Sequence, residues 1–194
     1  QALRACGRRR VIVSAIEHDA VRFAVPNPIV APVTDDGLVD LAALERLLAA
    51  DLEPTLVAVM LANNETGVIQ PVAAVAAIAH RHGALVHCDA IQAPGKIPVD
   101  VAALGVDSIA LSAHKLAGPQ GVGALVLRRP GQIGRFIHGG GQERGLRSGT
   151  LPVPLIVGFA EAVGLAVAER EAEAARLTAL RERFFALLSG ALPD

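Results

Sequence analysis

Tryptophan and tyrosine are absent from the 194-residue chain, and phenylalanine occurs only five times. The interior must therefore be filled by aliphatic side chains. The sequence has these in excess, with 52% hydrophobic and 19% charged residues, so a large buried core is expected. Cysteine is scarce too. Cys6 and Cys88 make neither a disulfide framework nor metal-ligand spacing, so no metal site is expected, and a reducing, cytoplasmic setting fits. No apolar run reaches the roughly 18 residues that a membrane-spanning helix needs. No secretory leader is visible, and no membrane association is expected. Charge of one sign is lacking as well: the net charge of -1 argues against nucleic acid as a direct partner. The one tight basic run, Arg8 to Arg10, reads as a solvated turn ahead of a strand. Gln1 opens the chain inside what reads as a helix end, which suggests a piece of a longer protein.

What is present alternates. Short apolar runs at 11–14, 29–33, 55–61, 84–88, 108–111 and 121–127 read as strands. Between them lie helical patterns. Asp40 stands as an N-cap before Leu41, Leu44, Leu47 and Leu48. Pro71 stands in a first turn before Val72, Val75, Ile78 and Ala79, and Gly83 closes that helix. A short helix is expected near Val101 to Leu104. Strand and helix in alternation, with continuous rather than alternating apolar strands, predict a three-layer α/β/α fold around a mostly parallel sheet. From about Pro154 the pattern changes to Ala, Leu, Glu and Arg at helical spacing, predicting one or two long helices over 157–188.

In such sheets ligands bind outside the carboxyl ends of the strands. Three strand ends carry polar groups: Asn63-Asn64-Glu65-Thr66-Gly67, Asp89-Ala90-Ile91-Gln92 and Ser112-Ala113-His114-Lys115. One such cluster would be an ordinary cap or turn. Three together point to a preformed site. A lysine beside a serine and a histidine can bond a carbonyl carbon while its neighbours hold an anion. A carboxylate on a neighbouring strand end suits a pyridinium nitrogen. From spacing alone a phosphate, nucleotide or metal site fits as well. Several residues have plainer readings: His80 and His82 as helix-end groups, Glu65 as a loop brace, Lys96 as exposed, Cys88 as a small core hydrophobe.

Longer motifs narrow the choice. Ser112-Ala113-His114-Lys115, followed by Gly118-Pro119-Gln120-Gly121-Val122-Gly123, resembles the cofactor-lysine motif of the class V, fold-type I pyridoxal 5'-phosphate enzymes. The run His138 to Gly145, continuing into Arg147-Ser148-Gly149-Thr150, is similar to cysteine desulfurases of the NifS/IscS type. Ser14 to His18, Asn63 to Gly67 and His87 to Gln92 match that family in the same order, over nearly the whole chain.

The resemblance implies roles. Lys115 carries the cofactor and moves protons at the substrate α-carbon. His18 stacks on the cofactor ring and is a second catalytic group, assisting proton transfer. Asp89 pairs with the ring nitrogen, Gln92 contacts the ring hydroxyl oxygen, and Asn64 lies beside that oxygen. Ser112 and His114 bind the phosphate, and Thr150 reaches the phosphate of a partner subunit, which implies a homodimer. The implied reaction removes sulfur from L-cysteine, giving L-alanine and a persulfide for an acceptor such as an iron-sulfur scaffold protein or a tRNA-thiolating enzyme. The family's persulfide cysteine lies well beyond the cofactor lysine, where this sequence has none, so the isolated chain is expected to be inactive. The implied division is a partial large domain over 1–168 and the helical start of a small domain over 169–194. An aminotransferase, a selenocysteine lyase, or a fragment that keeps the fold without turnover are the alternatives.

Overall fold

The apolar runs form a six-stranded sheet in the computed structural model, which describes residues 7–129, 133–135 and 137–191. Cys6 and the opening helix end fall outside the described residues. In chain order the strands are β1 (Arg10–Ser14), β2 (Ile29–Ala31), β3 (Thr55–Met60), β4 (Leu85–Asp89), β5 (Ser108–Ser112) and β6 (Gly123–Leu127). They lie in the order β2-β1-β3-β4-β5-β6. All neighbours are parallel except β5 and β6. The helices are α1 (Asp19–Arg22), α2 (Leu41–Ala49), α3 (Val72–Arg81), α4 (Val101–Leu104) and α5 (Val153–Ala191). The antiparallel β6 follows from a short connection. A 3-10 turn, Ala113–Leu116, leaves β5 at once, and the chain returns through Ala117 in the left-handed region (φ 56°). A parallel partner would need a crossover of a dozen or more residues.

Caps decide where the helices begin. The Asp40 carboxylate accepts from Ala43 N at 2.9 Å, and Asp100 accepts from Ala102 N and Ala103 N. On one face of the sheet, Ile12, Val57, Val59, Val86 and Ile109 bury Leu44 of α2 and Val72, Val75 and Ala79 of α3. On the other face, Val11, Val13 and Ala58 are covered by Val21 and Val25. Leu44 has no exposed surface. Leu44→Ala is expected to lower stability by about 2–5 kcal/mol. Urea unfolding should show a lower midpoint at unchanged denaturant dependence.

One expectation needs correction. Arg9 is exposed, but Arg8 is half-buried and the Arg10 side chain is only 8% exposed. Arg8 donates to Thr55 O and Gly83 O. Arg10 donates to Leu47 O and Thr55 Oγ1 and faces Asp51 across 3.8 Å. Their guanidinium groups tie the entry to β1 to the first residue of β3, to the turn before β4 and to the C-terminal part of α2, a use the run of three arginines conceals. The terminal region is a single long helix, within the one or two expected, and it begins earlier than the pattern suggested, at Val153, with Pro154 tolerated in its first turn.

Helix α5 runs without a break through 168 and 169. Its first half packs Phe159, Ala162, Val163 and Ala166 on Ala113 and Leu116 of the 3-10 turn. It comes closest at Gly95, where φ is +73° and a Cβ would lie 2.9 Å from Ala166 Cβ. Further along, Leu177, Leu180, Phe184 and Phe185 are exposed. Among the described residues, no helix is long and apolar enough to cross a membrane.

Candidate active site at the carboxyl ends of the strands

The chain leaves β1 toward β2 on one side, and leaves β3 toward β4 on the other. The sheet therefore reverses its winding between β1 and β3, which is where α/β sheets open a ligand crevice. The polar segments found in the sequence all follow strand ends around that point. Glu17 and His18 follow β1, Asn63 and Asn64 follow β3, Asp89 ends β4, and Ser112 ends β5 with Ala113 to Lys115 following it. Because β3, β4 and β5 are neighbours, with Met60 opposite Asp89 and Asp89 opposite Ala110, the three predicted clusters stand side by side.

Asp89 is buried and doubly fixed. Its Oδ1 accepts from Ile91 N at 2.9 Å, and its main-chain oxygen accepts from Leu61 N at 2.8 Å. Gln92 is oriented by Lys96, whose Nζ donates to Gln92 Oε1 at 3.0 Å and to Gln92 O at 3.2 Å. That contact occupies the amide oxygen and leaves the NH2 group free to donate. Partial burial lowers the Lys96 pKa, and the like charge of Lys115 lowers it further, so the two ammonium groups share one neighbourhood. Lys96 is exposed, as expected, but it also sets the Gln92 amide. Asn64, Gln92 and Lys96 line a cavity of about 390 Å³ between the segments that follow β3 and β4.

At the next strand end, Ser112 Oγ and His114 Nδ1 are 2.7 Å apart. Lys115 projects from a turn whose flanking residues Ala113 and Leu116 are buried, so an exposed amine sits on a rigid base. His18 is exposed and caps α1, its Nδ1 accepting from Ala20 N at 3.1 Å, which leaves the ring proton on Nε2. Thr150 is not among the residues lining the cavity; it is exposed, just ahead of α5.

Two further residues build the site. Asn63 accepts from Glu65 N and Thr66 N at 2.8 Å and donates to Ile16 O at 3.1 Å. The bracing expected of Glu65 therefore belongs to Asn63, and Glu65 is exposed. An Asn two residues ahead of the amide it binds is the signal of an Asx turn. Glu17 is buried; its carboxylate receives Met60 N at 2.7 Å and the Ser14 hydroxyl. Nothing in an isolated acid before a histidine marks it as interior. Cys88 is fully buried, and burial, with the charges of Asp89 and Glu17, pushes its thiol well above the usual range. It is a core residue, as its strand position suggests. His80 differs from the simple helix-end reading, because its Nε2 meets Asp107 Oδ2 at 2.8 Å.

The donors fit pyridoxal 5'-phosphate chemically. A buried carboxylate suits a ring nitrogen, an amide NH2 suits a ring oxygen, a hydroxyl with an imidazole suits a phosphate, and an amine suits an aldehyde. No cluster of metal-binding side chains occurs among the described residues.

Comparison with known proteins agrees. The family model for aminotransferase class-V matches residues 5–190. The cysteine desulfurase IscS of Anaeromyxobacter dehalogenans is 54% identical over 151 residues, which cover 76% of this chain and 37% of that protein. An IscS-like cysteine desulfurase of Mycobacterium tuberculosis is 42% identical over 196 residues, covering 96% of this chain and 49% of that protein. The crystal structure of a NifS-like protein from Rickettsia africae superposes with a TM-score of 0.87 at 38% identity, over 95% of this chain and 52% of that one. The chain thus spans about half the length, or less, of these relatives. With the sheet order, the strand-end donors and the matched sequence in agreement, the chain belongs to the class-V aminotransferase family of pyridoxal-phosphate enzymes.

Proposed function

We propose that this chain is the cofactor-binding core of a cysteine desulfurase, which takes sulfur from L-cysteine and leaves L-alanine. The observation that carries this reading is the side-by-side arrangement of Asp89, Gln92, Ser112, His114 and Lys115 at adjacent strand ends, in a sequence 54% identical to a cysteine desulfurase. Pyridoxal 5'-phosphate, when bound, supplies an aldehyde for amines and a ring that draws electron density from the substrate α-carbon. Asp89 holds the proton on the ring nitrogen. Gln92 donates to the ring hydroxyl oxygen, with Asn64 beside it. Ser112 and His114 bind the phosphate. Lys115 would hold the cofactor through its amine and would move the proton at the substrate α-carbon. His18 covers the ring. Thr150 serves the phosphate of a second subunit, so the working form is a homodimer with its sites at the interface.

The sulfur must pass to a thiolate. Cys88 cannot supply one, because its thiol is buried and its ionisation suppressed. We place the acceptor outside the described residues, on a sulfur-carrying segment or a partner such as an iron-sulfur scaffold protein. The same reading keeps residues 1–168 as part of a large domain, 169–194 as the start of a small one, and the setting as cytoplasmic. The test is to give the cofactor-loaded protein L-cysteine with and without a supplied thiol acceptor. L-Alanine is expected only with the acceptor. Steady alanine and sulfide release without it would overturn the placement of the acceptor. A bound cofactor with no alanine under either condition would favour amino transfer or action on selenocysteine.

A further inference from the structure

Glu17 is a buried acid that the proposed chemistry does not use, and it sits where the sheet reverses. Its Oε1 takes the Met60 amide of β3 and the Ser14 hydroxyl of β1. Its Oε2 is buried with no hydrogen-bond partner, alone in this among the buried side-chain N and O atoms of the described residues. The backbone just before it is tied to the facing loop, Ile16 O accepting from Asn63 Nδ2. The residue just after it is His18, which caps α1. Met60, whose amide it holds, pairs in register with Asp89. One carboxyl therefore links both walls of the crevice, between the residue that would cover the ring and the residue that would bind its nitrogen.

We propose that Glu17 is a positioning residue, a neutral clamp that fixes the His18 turn against β3 and leaves Asp89 as the negative charge at the strand ends. The proposal deepens the cofactor reading and rests on it. An ionised carboxylate in this place would leave one charged oxygen buried without a partner, which costs far more than a neutral one. The ionisable groups that face it are Asp89 and Cys88, both on β4, and neither supplies a compensating positive charge. Burial pushes the Glu17 carboxyl up to about 7; the bonds from Ser14 and Met60 oppose this, and the charge of Asp89 adds to it. The sign follows by linkage. The unfolded chain ionises Glu17 near 4.5 and the folded one near 7, so the stabilisation is complete below 4.5 and is lost as pH rises to about 7.

Glu17→Gln keeps the acceptor for Met60 and Ser14 and cannot ionise. Glu17→Ala leaves both donors without it. Urea unfolding of the cofactor-free protein across this pH window is the first readout. The parent's folding equilibrium should weaken on the order of a hundredfold from Glu17, and Glu17→Gln should lack that component. The second readout is pyridoxal 5'-phosphate affinity at pH 6. Glu17→Gln should match the parent, and a folded Glu17→Ala should bind roughly tenfold or more weakly. Should Glu17→Ala fail to fold, Glu17→Gln carries the test. A Glu17→Gln variant with the parent's pH slope overturns the neutral clamp, and a folded Glu17→Ala with the parent's affinity overturns the positioning role. A parent that takes up no cofactor sinks the functional reading and the positioning role with it, while the pH comparison still decides the clamp.

Discussion

Lys115→Ala should abolish covalent retention of the cofactor. Borohydride reduction of the parent loaded with pyridoxal 5'-phosphate should leave a label that survives denaturation, and the variant should carry none. The loss is expected to be complete because, among the described residues, Lys96 is the one other lysine in this neighbourhood, and its Nζ is engaged by Gln92. The fold should not suffer. The Lys115 side chain is exposed, and the buried contacts of its turn belong to Ala113 and Leu116. Unfolding free energy should stay within about 0.5 kcal/mol of the parent, as for surface substitutions generally. Turnover in the active assembly should fall by roughly 10²–10⁴-fold from the lost proton transfer alone. Lys115→Arg should not restore it, because a guanidinium stays protonated and cannot act as the nucleophile. A label of parental strength on Lys115→Ala, mapped to Lys96, would move the attachment point and refute the assignment.

How far the sequence reached depended on the range of each interaction. Strand β3 was legible because both its faces are buried, so its apolar run is unbroken, and Asp40 was legible because a cap is local. The neighbouring strand-end clusters were legible from order alone, since a parallel sheet sets successive carboxyl ends on one edge. Pairings across the fold were not. Arg10 meets Leu47 and Thr55 through partners 37 and 45 residues away, and no local pattern separates such an arginine from a solvated one. Glu17 reaches Met60 across 43 residues, so its burial is a tertiary fact. The direction of β6 depended on a left-handed Ala117, a conformation that alanine seldom adopts and composition does not signal. The resemblance to desulfurases supplied residue roles but not supports: it singled out Gln92, while the lysine that orients its amide is seen only in the structure.

Asp89→Asn should separate holding the cofactor from using it. The Asn oxygen can keep the 2.9 Å bond from Ile91 N, so the side chain retains its place. The NH2 group then replaces Oδ2, and a donor stands where the ring nitrogen needs an acceptor for its proton. Ser112, His114 and Lys115 lie on β5 and the turn after it, so their contacts are untouched and the cofactor should still bind and still be trapped by borohydride. Removing one partner of a buried charge pair costs about 3–5 kcal/mol. Felt in the transition state, that is roughly 10²–10⁴-fold in turnover. Substitution also removes one of the charges that suppress ionisation of Glu17 and Cys88, so the stability lost on raising the pH toward 7 should shrink without vanishing, burial being the larger cause. The pair of readouts is informative together. Near-parental cofactor uptake with turnover down a hundredfold or more supports the ring-nitrogen role. Parental turnover in a variant that still binds the cofactor would show that the ring keeps its proton by other means, and Asp89 would then be a structural partner of Ile91.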